Sequence, residues 1–191
     1  MIDFTKLKKL TIGGVELKQL FINGIQIWKA ITFTNQVPIS TDTDGSIFNG
    51  VGYIDNRRLS SSGSLSSSAQ NGSVTTGFIP WYGDTTYLRM KGVEWLNSYM
   101  DGNGVCYIIP YDASKKAYGG VYLSAGEYRG GNQNHVVSVT RDANGVETVK
   151  FSETYGTSNT MLQKFREASF IRITAYGKGA NMIVTINEEI T

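Results

Sequence analysis

Apolar and polar residues alternate with a period of two along most of the chain. Leu88 and Met90 alternate with Tyr87, Arg89 and Lys91, and Val105, Tyr107, Ile109 and Tyr111 with Cys106 and Ile108. Val137 and Val139 alternate with Ser138 and Thr140. Ile171, Ile173 and Ala175 alternate with Phe170, Arg172, Thr174 and Tyr176, and Met182, Val184 and Ile186 with Ile183, Thr185 and Asn187. Successive side chains of a strand point to opposite faces, so this period predicts strands laid against a core. Turn-forming residues separate them at Gly119-Gly120, Asp142-Ala-Asn-Gly145 and Lys178-Gly179. The pattern predicts an all-β fold, an antiparallel β-sandwich over residues 35–191. One helical stretch interrupts it. Thr160-Met-Leu-Gln163 has the spacing of a capping box and opens a short run to Ala168.

The first 34 residues read differently. Ile12-Gly-Gly-Val-Glu-Leu17 is echoed ten residues on by Ile22-Asn-Gly-Ile-Gln-Ile27. Gly-Gly and Asn-Gly suit the hairpin turns in which both central residues have positive φ. A small three-stranded β-meander follows, over about 7–12, 15–22 and 25–33. Residues 1–30 hold five lysines against two acids, a net +3, whereas the remainder carries −1. That asymmetry suggests a basic assembly or docking element. The Ser-rich stretch 60–73 is short and runs straight into a strand pattern, so it reads as an ordered loop, not a linker.

Composition removes several kinds of chemistry. The chain has 191 residues, with 22 Gly and 11 Tyr but one Cys and one His. Cys106 alone makes no intrachain disulfide or Cys-rich zinc site, and lies between apolar neighbours as a core residue would. The net charge of +2 is too small to point to nucleic acid. Lysines interrupt the N-terminal apolar residues, so no signal peptide is expected, and no run is long enough to span a bilayer. The expectation is a soluble chain made in a cytoplasm, with no membrane or nucleic-acid partner.

Catalytic readings fare poorly. Gln133-Asn-His135 matches a triplet used by jelly-roll polysaccharide lyases, but the accompanying Arg-x-Glu-x-Arg strand is absent. Glycoside hydrolysis needs two facing carboxylates; Glu94, Asp112, Glu127, Asp84 and Asp101 are candidates, most of them beside turn residues. No Gly-x-Ser-x-Gly elbow occurs. The chain is not expected to be an enzyme. For metal, Asp42 and Asp44 supply oxygens two apart, a calcium candidate without the rest of a calcium loop. Asp101-Gly-Asn-Gly104 and Asp142-Ala-Asn-Gly145 read as hairpin turns, and no cofactor is otherwise implied.

Aromatic residues carry the positive signal. Sugar rings stack their C–H faces on flat aromatics, while their hydroxyls seek amides and guanidinium groups. Trp81 and Tyr82 follow Pro80 and precede Gly83, which suggests an exposed turn; Trp95 and Tyr99 follow the next strand pattern. Arg129 and Asn132 lie in the loop-forming segment beyond Tyr128. These six residues are the candidate ligand-binding set.

Residues 35–191 also resemble a module of tail, baseplate and tail-fibre proteins of tailed phages that infect gut bacteria. The resemblance is carried by Arg58-Leu-Ser-Ser-Ser-Gly63, Asn71-Gly-Ser-Val-Thr-Thr-Gly-Phe-Ile-Pro80 and Tyr87-Leu-Arg-Met-Lys-Gly92. It continues in Tyr111-Asp-Ala-Ser-Lys-Lys116, Ser169-Phe-Ile-Arg-Ile-Thr174 and Ile183-Val-Thr-Ile-Asn-Glu-Glu189. The Ile-Asn-Gly repeat ending at Trp28-Lys29 is similar to a small β-unit at the starts of such proteins. The resemblance implies a virion protein with a jelly-roll-like domain that recognises a host cell-surface glycan. Other virion subunits are then partners, and a homo-oligomer, trimeric or higher, is expected. A purely structural connector without a glycan ligand is the alternative, and a polysaccharide-degrading enzyme comes third.

Overall fold

The computed structural model describes residues 10–12, 15–17, 19–22, 25–29, 31–33, 37–38, 52–67, 71–81, 87–95, 106–124, 139–151, 159–187 and 190. Side chains are described from residue 52 onward, except at the start of the helix. The fold is all-β, with two sheets packed face to face.

The N-terminal strands are β1 (Leu10–Ile12), β2 (Val15–Leu17), β3 (Gln19–Ile22) and β4 (Ile25–Lys29). Among the described residues β1 pairs with β2 and β3 with β4, each pair a two-stranded ribbon. Ile12 pairs with Val15 and Ile22 with Ile25, the spacing expected of two-residue hairpins. The turn residues themselves lie outside the described residues. The next strand, β5 (Ile31–Phe33), does not join either ribbon; it pairs antiparallel with a strand near the C-terminus.

Twelve further strands follow among the described residues: β6 (Val37–Pro38), β7 (Gly52–Asp55), β8 (Ser73–Thr76), β9 (Ile79–Pro80), β10 (Tyr87–Lys91), β11 (Val93–Glu94), β12 (Tyr107–Tyr111), β13 (Leu123–Ser124), β14 (Val139–Arg141), β15 (Glu147–Lys150), β16 (Phe170–Gly177) and β17 (Ile183–Ile186). One sheet has the order β14-β15-β10-β17-β5. The other runs β13-β12-β16-β8-β7-β6, with β9 and β11 also pairing β16. All pairs are antiparallel except β6 with β7. The helix α1 (Asn159–Glu167) leads into β16.

The main core lies between the sheets. Leu88, Met90, Val149, Val184 and Ile186 from the five-stranded sheet meet Val74, Ile79, Ile108, Ile171, Ile173 and Ala175 from the larger one. In β10, β16 and β17 these are the apolar positions of the alternating pattern; in β12 it is Ile108, with Cys106 just before the strand, that faces this core, while Ile109 and Tyr111 face a second cluster on the outer side. The polar positions of β16 depart from expectation. Arg172 and Thr174 are buried as fully as Ile171 and Ile173, because the segment 57–66 and a second apolar cluster cover the outer face.

Burying that face requires partners for its polar groups. The Thr75 and Thr174 hydroxyls lie 2.9 Å apart, the Leu59 N–H donates to Thr174 Oγ1 at 3.0 Å, and Thr75 Oγ1 donates to the Arg57 carbonyl at 2.8 Å. A bulge completes the arrangement. Thr75 pairs with Thr174 and Ile79 with Ile171, so three residues on one strand oppose two on the other. The displaced Thr76 accepts from the Ile173 N–H through its hydroxyl and from Arg172 Nε through its carbonyl, at 2.9 and 2.8 Å. Val74 and Ile79 thereby both face the main core, while Phe78 turns to the outer face.

Ile173→Asp should abolish folding, since it buries an unpaired charge between the sheets. Soluble yield and thermal melting check this, and parent-like melting would refute the register of β16. Deleting residues 1–29 should leave a cooperatively melting sandwich. Deleting 1–34 should lower its melting temperature, because removing β5 leaves the β17 edge unpaired.

Candidate functional site

The aromatic candidates that are described turn inward. Trp81 is 4% exposed, its ring set edge-on to Phe151 at 4.9 Å between centroids. Its indole N–H donates to the Phe165 carbonyl on α1 at 2.9 Å, and its backbone N–H to the Ser169 carbonyl at 2.9 Å. Pro80 pairs with Phe170, and this directs Trp81 under the helix and not into an exposed turn. Trp81 is thus a core residue whose polar group is satisfied by the helix it holds. Trp95 is fully buried, and its backbone N–H donates to Glu147 Oε2 at 2.7 Å. Both tryptophans are removed from the ligand-binding set. Tyr82, Tyr99, Arg129 and Asn132 lie outside the described residues, as do Asp42, Asp44 and His135.

Two other readings are resolved. Cys106 is buried in the main core. Asp112 directs Oδ1 to the N–H groups of Ser114 and Lys116, at 2.8 and 2.9 Å, so it serves its own turn. Glu94 sits 3.6 Å from Arg141.

A groove of about 800 Å³ opens over the outer face of the larger sheet. Its floor is Phe78, Tyr111 and Arg172, 7%, 2% and 1% exposed. The Phe78 ring meets Tyr111 edge-on at 5.0 Å and Phe170 at 6.1 Å, an arrangement that fixes the ring. Arg172 Cζ lies 4.9 Å and Lys115 Nζ 5.1 Å from the Phe78 centroid. Both are within cation–π range. The walls come from two loops. Ser62, Gly63 and Ser64 form one side, and Ser114, Lys115 and Lys116 the other.

The loops are tied together beneath the groove. The Tyr111 hydroxyl donates to the Gly63 carbonyl at 2.7 Å. Gly63 has φ +85°, and a Cβ there would lie 2.5 Å from Ala117 Cβ, so both the turn and the close approach require glycine. Arg57 donates through Nη1 to the Ser66 carbonyl, and the Ser66 N–H to the Arg58 carbonyl at 2.8 Å, closing the loop on itself. The result is a closely packed floor carrying hydroxyls and cations at its rim.

A second concavity, of about 520 Å³, includes Lys91, Glu94, Arg141 and Tyr176. There Arg141 lies 3.6 Å from Glu94 and 4.0 Å from the buried Glu147, so opposite charges offset one another. Among the described residues no cluster of three or more His, Cys, Asp and Glu side chains forms a metal site.

Comparisons with protein-family models, with curated proteins and with solved structures gave no match. The groove residues were not among the sequence candidates. Two signals pointed to them: the polar register of Arg172 beside Ile171 and Ile173, and a lysine pair closing the Asp112 turn.

Trp81→Ala should destabilise the fold by about 3–5 kcal/mol, the range for removing a buried aromatic from a packed core. Chemical denaturation measures this, and a change below about 1 kcal/mol would place Trp81 outside the core.

Proposed function

We propose that the chain is a non-enzymatic virion module whose sandwich recognises a host-surface glycan without covalent chemistry. One observation carries the reading. Four stretches of the phage-module resemblance, 58–63, 71–80, 111–116 and 169–174, are far apart in sequence yet each contributes to the one groove. The other two stretches, 87–92 and 183–189, pair in the five-stranded sheet, whereas these four supply surface residues besides their core ones. Here they supply Ser62, Phe78, Ser114, Lys115, Lys116 and Arg172 to a shared surface.

The chemistry of that surface suits a saccharide. Serine hydroxyls on both walls can donate to and accept from ring hydroxyls. Half-buried Leu65 and Ala117 offer small apolar patches to sugar C–H faces. The buried aromatics act as supports for the rim and not as stacking platforms, which differs from the mechanism expected from Trp81 and Tyr82. Binding sites placed on loops over a rigid sheet are a common arrangement. The N-terminal ribbons are assigned the docking role toward other virion subunits, in a trimeric or higher assembly.

The test is binding of the full chain to immobilised bacterial surface polysaccharides. The parent should bind at least one of them, and the Ser62→Ala, Ser114→Ala double variant should lose about tenfold in affinity, roughly 1.4 kcal/mol, while melting like the parent. No binding by the parent to any polysaccharide would leave a structural connector as the function.

A further inference from the structure

We propose that Tyr111 is a positioning residue for saccharide binding, and that it holds the two serine-bearing walls of the groove at one spacing. The inference rests on the glycan-binding reading and adds what sets the width of that site.

The Ser62–Ser64 wall is the tip of the loop 57–66, and the loop's base and tip are held by different bonds. At the base, the Arg57 carbonyl accepts from Ser73 Oγ at 3.1 Å and from Thr75 Oγ1 at 2.8 Å, and the Leu59 N–H donates to Thr174 Oγ1 at 3.0 Å. Each of these bonds reaches the sheet. The tip closes on itself instead. The Ser60 N–H donates to the Ser64 carbonyl at 2.8 Å and the Gly63 N–H to the Ser60 carbonyl at 2.9 Å, while the Ser60 and Ser62 hydroxyls lie 2.7 Å apart. Such internal bonds fix the shape of the tip and not its place over the groove. Among the described residues, one hydrogen bond joins the 60–64 tip to β12, from the Tyr111 hydroxyl to the Gly63 carbonyl at 2.7 Å.

Tyr111 meets the opposite wall as well. It forms a β-bridge with Ala117, and the Asp112 N–H donates to the Lys116 carbonyl at 3.0 Å, so the turn carrying Ser114 and Lys115 leaves from Tyr111 and returns beside it. The same residue thus holds one wall by its main chain and the other by its hydroxyl. Contact beneath the groove limits how closely the walls approach. A Cβ at Gly63 would lie 2.5 Å from Ala117 Cβ, 3.1 Å from the Tyr111 hydroxyl and 3.3 Å from Ile109 Cγ2, so the glycine is already seated against its neighbours. The hydrogen bond opposes their parting. Packing edge-on to Phe78 needs only the ring, which phenylalanine would also supply, so the hydroxyl is the part that serves the wall. Polar groups held in place before the ligand arrives lose less freedom on binding, and the bond thereby contributes affinity without touching the saccharide.

The experiment uses the full chain with immobilised capsular polysaccharide, O-antigen and cell-wall polysaccharide as probes, together with hydrogen exchange of the free protein. Tyr111→Phe should melt within a few degrees of the parent and lose about tenfold in affinity for whichever polysaccharide the parent binds. Its amides in 60–66 should exchange faster, with those of β16 unchanged. Gly63→Ala should also bind weakly, and adding Ala117→Gly should restore part of that loss, because it removes the atom nearest the new methyl group. Parent-like affinity in Tyr111→Phe overturns the positioning role and leaves glycan recognition standing. Lost affinity with unchanged exchange in 60–66 overturns it too, since the wall would not have been released. A marked melting loss in Tyr111→Phe makes the hydroxyl a support of the fold as a whole and overturns its assignment to the groove. Failure of Ala117→Gly to recover any binding in Gly63→Ala overturns the spacing of the walls as the quantity that matters. If the parent binds no polysaccharide, the glycan reading falls and the proposal with it.

Discussion

Strand β16 is buried on both faces and paired along both edges, and the rest of the sandwich is arranged to permit that. Its inner face, Ile171, Ile173 and Ala175, supplies the wall against which the five-stranded sheet packs. Its outer face carries Arg172 and Thr174, whose burial is tolerable only with hydrogen-bond partners in place. Those partners are a single bulged residue, Thr76, together with the Thr75 hydroxyl and the N–H of Leu59. Each belongs to a segment about a hundred residues away in sequence. The loop 57–66 is thus held to the sheet by polar bonds together with the packing of Leu59 and Leu65.

The groove is a consequence of the same arrangement. The bulge at 76–78 reverses which face Phe78 occupies, and the ring then becomes the floor on which Arg172 and Lys115 lie. The Tyr111 hydroxyl fastens the Ser62–Ser64 loop to the edge of that floor. A buried aromatic foundation thus underlies a polar rim without exposing the aromatics themselves. The tryptophans have been put to another use: Trp81 holds α1 against the core, and Trp95 joins β11 to Glu147 at the start of β15.

The pairing of turns at 112–116 and 142–146 separates what a fold needs from what a surface needs. Identical hydrogen bonding with glycine in one turn and lysine in the other shows that the backbone conformation does not dictate the residue. A residue with a Cβ in the left-handed region is held there by its surroundings, and Lys115 Nζ lies 5.1 Å from the Phe78 centroid. Here the contact is with the groove.

Much of the fold was legible along the chain. Period-two alternation located β10, β12, β16 and β17 and the inward residues of β16, because the side-chain direction of a strand is set by the backbone alone. The Asp142 turn and the two-residue hairpin spacings followed from local preferences for positive φ. Pairing partners were not legible in this way. That β5 leaves the N-terminal ribbons for β17, and that Trp81 points under a helix, depend on which segments meet in three dimensions. The candidate site was legible only in its parts. Arg172 and the lysine pair were in view, but alternation cannot tell an outer face covered by a distant loop from one open to water. Only the tertiary structure decided that, by bringing residues 57–66, 78 and 111–116 onto one side of β16, where burial depends on contacts with no local sequence signature.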